Sequence, residues 1–208
     1  MINYINVQWL CAADYFSKNL RRLFFIYLLL FVALAVLTVA LFQSNPDIAN
    51  TYYQEISKMF AEKNMLDKSG FGLFLSIFVN NIWAGAVVIL LGFIPFLFIP
   101  NFSFISNVMI IGVMGAVFQI NGIGLLPFFA GILPHGVLEI PALILGTILG
   151  IHICQKITKV ILRRGSPGEF KQAFFAALRI FLLWMVPLFA IASGIETFVT
   201  PIIFTALL

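Results

Sequence analysis

Charge is what this sequence has least of. Only 10% of its 208 residues are Asp, Glu, Lys or Arg, 62% are hydrophobic, and none of those four charged types occurs between Ser69 and Leu138. So little polar surface cannot coat a water-soluble globule of this size. With a mean hydropathy of +1.08, the composition is that of a polytopic membrane protein. Other absences narrow the chemistry. The sequence has no HExxH pair, no Walker-type glycine loop, no Ser/His/Asp hydrolase set and no paired carboxylates of glycosidase type, so catalysis of those kinds is not expected. The net charge of +4 comes from basic residues that flank apolar runs, with no nucleic-acid motif beside them, and these read as topology signals. Cysteine is nearly missing too. Cys11 and Cys154 both fall on the side expected to face the reducing cytoplasm, where a disulfide is not expected and a packing role is.

What is present is long apolar runs. About 20 such residues cross roughly 30 Å of hydrocarbon, so this length holds five or six spans and leaves no room for a soluble catalytic domain. The expected fold is all-α, one membrane domain over residues 1–208 with five transmembrane helices. Residues 1–22 read as an interfacial amphipathic helix, with Ile2, Ile5, Trp9, Ala13, Phe16 and Leu20 on one face; a helix docked on the bundle is the competing reading. The spans are 23–42, 73–93, 104–120, 127–154 and 175–199. Residues 43–72 form an outer loop with a short surface helix. That helix opens at Asn45-Pro46-Asp47, has Ile48, Tyr52, Ile56, Met59 and Phe60 on its apolar face, and ends near Ser69-Gly70. Residues 155–172 form a basic loop, where Lys156, Lys159, Arg163, Arg164 and Lys171 face one acid, Glu169. That loop and the Lys18, Arg21, Arg22 group agree on an amino terminus inside and a carboxyl terminus outside. Arg179 is expected to snorkel to the inner surface. Pro187 is expected to kink the fifth span.

The chain is organised around Leu133 to Gly150, LPHGVLEIPALILGTILG. It puts His135 and Glu139 one helical turn apart in hydrocarbon, where a carboxylate costs at least ~2.5 kcal/mol and must be paired, neutralised or wet. Pro134, Gly136 and Pro141 are expected to break the fourth helix here. Counting depth at about 1.5 Å per residue, Asn80, Asn81, Gln119, Asn121, His135, Glu139 and Glu196 come from four spans to one layer in the outer half of the bilayer. They predict an outward-opening polar pocket.

Four readings of that pocket compete. In the plainest, His135 and Glu139 are a buried hydrogen-bonded pair, with Asn80 and Asn81 on the backbone freed by the prolines. In the second, His135, Glu139 and Glu196 hold a zinc-like divalent metal. The third is a proton or solute path, as in a small transporter, although the inner half offers only Asn107 and Thr147 to continue it. The fourth is a docking cleft for another membrane protein. Ala142, Gly146 and Gly150 make a flat strip for close helix packing within the chain; a homodimer seam is the sharper use.

The block PHGVLEIPALILGTILG, with Asn80-Asn81 before it and Glu196 near the carboxyl end, resembles the stage II sporulation protein M family. Within that block His135, Gly136, Glu139 and Pro141 match, and with them Asn81 and Glu196. The resemblance implies a multi-pass protein of a bacterial cell membrane. It further implies a non-enzymatic component of peptidoglycan-remodelling machinery that works beside the membrane-anchored sporulation proteins D and P, which carry the wall-cutting activities. The family also occurs in organisms that do not sporulate.

Overall fold

The structure is a computed structural model that describes residues 2–62 and 68–206, apart from the side chains of Ile2 and Phe60. The helices are α1 Ile2–Asn19, α2 Arg21–Gln43, α3 Pro46–Glu62, α4 Gly70–Leu91, α5 Pro100–Ile120, α6 Leu125–Ile161, α7 Pro167–Ile180, α8 Val186–Phe198 and α9 Thr200–Thr205, with a π-helical turn, Phe181–Met185, between α7 and α8. Among the described residues there is no strand. Five helices or helical stretches are long and apolar enough to cross a membrane: α2, α4, α5, α6 and the stretch Pro167–Thr205. This is the all-α, five-span fold expected from composition.

The chain divides into two compact units. One takes α1, α2 up to Leu28, Asn81–Phe104 and Ile140–Phe189; the other takes α2 from Leu29, α3, α4 up to Asn80, Ile105–Glu139 and the chain from Ala190. Several helices therefore contribute residues to both.

In the first unit the expected small-residue strip is used inside the chain. Ala142, Gly146 and Gly150 are all buried, and the Gly150 backbone lies against Val88 and Pro100. α1 packs on this unit instead of standing apart. Trp9 and Phe16 make ring contacts with Trp184 at centroid distances of 5.6 and 5.3 Å. The Tyr15 hydroxyl bonds Nε2 of His152 at 2.9 Å. Ala12 and Leu20 are fully buried while Ile5 is 49% exposed, so the docked face takes in the later part of the apolar stripe together with Gln8, Ala12 and Tyr15. On that face Gln8 Oε1 accepts a hydrogen bond from Nε of Arg179. Cys11 is exposed and Cys154 buried, both as free thiols, and Cys154 Sγ donates to the Ile94 carbonyl at 3.3 Å.

α7 begins with Ser166 at its N-cap, whose Oγ accepts from the Glu169 N–H at 3.2 Å, and Pro167 follows at the first helical position. Ser-x-x-Glu is the capping-box spacing, but here the Glu169 carboxylate pairs with Lys156 Nζ at 2.7 Å. Replacing Ser166 with Ala removes the side-chain acceptor of the Glu169 N–H, leaving it only the Ser166 carbonyl at 3.1 Å, and should cost about 1 kcal/mol. Thermal unfolding of purified Ser166→Ala should show that loss, while Ser166→Asp stays near wild type; equal loss in both would mean the cap contributes nothing.

Where a kink was expected at Pro187, the structure has a π turn just before it, closed by a bond from the Val186 N–H to the Phe181 carbonyl. Pro187 would crowd the carbonyl of Leu183, and one wider turn relieves that crowding without ending the helix.

In the second unit α3 starts at Pro46, as expected. Its end near Ser69-Gly70 falls partly outside the described residues, as does the Phe60 side chain. Its buried face differs from the expected one. Ala49 is fully buried beside Phe42, Val113, Ala116 and Val117, with Tyr53 and Ile56 packed against them, whereas Ile48 and Tyr52 are 50% and 49% exposed. An alanine admits a close backbone approach that isoleucine would prevent, so α3 seats on its smallest side chain and not on its most apolar one.

The expected break in the fourth span is absent, because α6 is one continuous helix of 37 residues running through Pro134, Gly136 and Pro141. It is also the most buried of the five, with 67% of its most apolar window inside the protein against 17% for α2. That burial lies mostly beyond the prolines, since Leu133 and Val137 beside Pro134 are 51% and 63% exposed; the helix continues through the loss of two N–H groups because neighbouring side chains can serve the freed carbonyls.

Candidate functional site

α6 opens after a turn in which Gly122 and Gly124 adopt positive φ, +73° and +91°, a region open to glycine at little cost. Pro127 then sits in the first turn, where its missing N–H would have had no helical partner. From this start His135 and Glu139 fall one turn apart on one face of α6. Glu196 comes from α8, within the same compact unit. One ligand atom each from His135, Glu139 and Glu196 lie within 4.8 Å of one another, and all three residues are partly buried. The sequence expectation that these three could meet is what the geometry displays.

A fourth residue joins them that sequence reasoning missed. Thr200, 9% exposed, opens α9, and its Oγ1 lies 3.2 Å from Nδ1 of His135. The helix is interrupted only at Val199, so Ser193, Glu196, Thr197 and Thr200 stand at spacings of three and four and form one stripe. Ser193 and Thr197 are 0% and 8% exposed, and neither hydroxyl has a hydrogen-bond partner. Buried helical hydroxyls usually bond the carbonyl four residues back. Thr38 and Thr147 do so in this chain, to Leu34 and Leu143. A signal existed for the stripe, namely four hydroxyl or carboxyl residues at helical spacing between Ser193 and Thr200, but serine and threonine are too common in apolar helices to attract attention alone.

The remaining residues of the expected pocket are spread more widely. Gln119 is half-buried in the last turn of α5, and Asn121 is exposed in the turn that follows, where its N–H bonds the Val117 carbonyl. Asn80 is half-buried and Asn81 is 6% exposed, and the two belong to different compact units. The structure thus gathers His135, Glu139, Glu196 and Thr200, and leaves Asn121 outside any buried cluster.

Electrostatically the cluster is unusual for a membrane span. Two carboxylates this close repel each other, and a proton or a cation between them removes the repulsion. One imidazole and two carboxylates from two helices are donors suited to a divalent ion of the zinc class. Away from this cluster the polar contacts are of another kind. Besides Tyr15 with His152, the Tyr27 hydroxyl donates to Oδ1 of Asn101 at 2.6 Å. Burial, and after it the negative charge of Glu169, pushes the Tyr15 phenol above its ordinary value. No spacing pattern links Tyr15 to His152, 137 residues apart, and the sequence offered no sign of that pair.

Comparison with curated proteins and with solved structures returned no match. The family model for Stage II sporulation protein M matches residues 8–201. That range takes in most of α1, four spans whole and nearly all of the fifth, and every residue of the cluster. The agreement of a five-span helical fold with a family match over nearly the whole chain leads to one conclusion: this chain belongs to the Stage II sporulation protein M family.

Proposed function

We propose that this protein is a non-enzymatic membrane subunit of a peptidoglycan-remodelling complex, a platform that recruits membrane-anchored wall enzymes of the sporulation protein D and P type. Family membership over residues 8–201 supports the process, and the five apolar spans support the membrane setting. The observation that carries the platform role is α3. It is pinned to its unit through Ala49, Tyr53 and Ile56 and leaves Ile48 and Tyr52, whose ring also touches Phe42, half exposed beside the exposed charges Asp47, Glu55 and Lys58. A small apolar patch within a charged rim on an anchored helix is a surface suited to protein recognition. In this reading α3 faces the outside, the amino terminus the cytoplasm, and the basic 155–172 loop the cytoplasm as well.

A photo-crosslinking residue placed at Ile48 or Tyr52 should capture proteins with peptidoglycan-binding or peptidoglycan-cutting domains in living cells, and the same residue at Arg163, in the basic loop, should not. Adducts at α3 that contain no wall enzyme, or equal capture of wall enzymes from Arg163, would overturn the platform role.

A further inference from the structure

We propose that His135, Glu139 and Glu196 are the protein ligands of one divalent transition-metal ion of the zinc class, joining α6 to α8, with Thr200 orienting the histidine. Three observations lead there. The first is convergence: the three ligand atoms already lie within 4.8 Å of one another. A tetrahedral zinc site with bonds of about 2.0–2.1 Å has its ligands roughly 3.3 Å apart, so the set closes on an ion by side-chain adjustment alone. The second is the bond between Thr200 Oγ1 and Nδ1 of His135, the kind of outer contact that fixes the ring of a metal-ligating histidine. The third is the pair of buried hydroxyls without partners, Ser193 and Thr197, on the stripe that carries Glu196 and Thr200. Orphaned buried polar atoms beside a donor cluster point to a bound ion or its water.

Charge selects the class of ion. Two carboxylates and one 2+ ion sum to zero, the arrangement least opposed by hydrocarbon; a monovalent cation would leave a net negative charge. The imidazole favours zinc and its neighbours over magnesium and calcium, which prefer oxygen donors throughout. Three protein ligands leave one position of a tetrahedral ion open for water. This reading concerns a different surface from α3, and either can fail without the other.

The test uses the full chain in lipid nanodiscs, carrying Cys11→Ser because that exposed thiol can itself take zinc. After chelation and dialysis the protein should bind about one equivalent of Zn²⁺, and Co²⁺ in its place should give the visible absorption of a low-coordinate site. His135→Ala, Glu139→Gln and Glu196→Gln should each weaken Zn²⁺ binding at least about a hundredfold, and Thr200→Val about 10- to 100-fold. Added Zn²⁺ should raise the Tm of the chelated parent protein, a readout that needs no ligand variant to fold. Less than a tenth of an equivalent bound, or equal affinity in the parent and all three ligand variants, would overturn the site. Unchanged affinity in Thr200→Val would remove Thr200 from it.

Discussion

Gly92→Ala should destabilise the first unit by about 3 kcal/mol, at the upper end of what overpacking costs. A Cβ at that position would fall 2.2 Å from the Gly150 carbonyl oxygen and 2.7 Å from Gly150 Cα and C. Those are backbone atoms of α6, the most buried of the spans, and no rotamer change can move them. With total stabilities of ~5–15 kcal/mol, such a loss is readily visible in reversible unfolding from mixed micelles, and poor recovery of folded protein is the other expected form of it. Gly146→Ala is the control. Its Cβ would meet Met185 Cε at 3.0 Å, the free end of the most pliable apolar side chain, so the cost should stay below about 1 kcal/mol. If the two variants unfold alike, the contact of Gly92, just past α4, with α6 is not as close as described.

The second large effect lies in the other unit and carries a built-in rescue. A Cβ on Gly112 would fall 2.4 Å from Cγ2 and 2.5 Å from Cβ of Thr38. Thr38 is β-branched, and its hydroxyl is tied to the Leu34 carbonyl, so its methyl cannot rotate away without giving up that bond. Gly112→Ala should therefore cost about 2–3 kcal/mol. Here the obstacle is a side chain, and Thr38→Gly removes both crowding atoms. In a double-mutant cycle the two changes should couple favourably by about 1–2 kcal/mol, within the range for residues in contact. Additivity to within about 0.5 kcal/mol would mean that α2 and α5 do not approach at this point.

Both predictions rest on contacts between helices, and such contacts are where reading along the chain stops. The number of spans was legible because apolar runs of about 20 residues have no other use. The start of α3 was legible because Asn45-Pro46-Asp47 is local chemistry, and the strip Ala142, Gly146, Gly150 because small residues every four positions make one groove. The break at Pro134 and Pro141 was misjudged for the same local reason. Proline removes an N–H in any helix, but whether the helix parts depends on the packing around it, which the local sequence does not show. The buried face of α3 was misjudged because Ile48 outranks Ala49 in hydropathy, while a close approach of two helices selects for small size.

For the cluster, adjacent spacing announced His135 and Glu139 as one unit, and the rarity of acids in the spans drew Glu196 to them. Thr200 was hidden, since a threonine 65 residues from its histidine carries no mark of that bond. Asn121 was overvalued, because depth counted along a span does not say which way a side chain faces.

Composition and the spacing of apolar residues settle that this chain lives in a membrane as five helices, since solvent quality acts on every residue without regard to its partners. Which residues of those helices meet, and so where two carboxylates, an imidazole and a threonine hydroxyl come to face one another, depends on steric fit between segments distant in sequence. Only the packed chain resolves that, because fit belongs to pairs of surfaces and no single helix contains both.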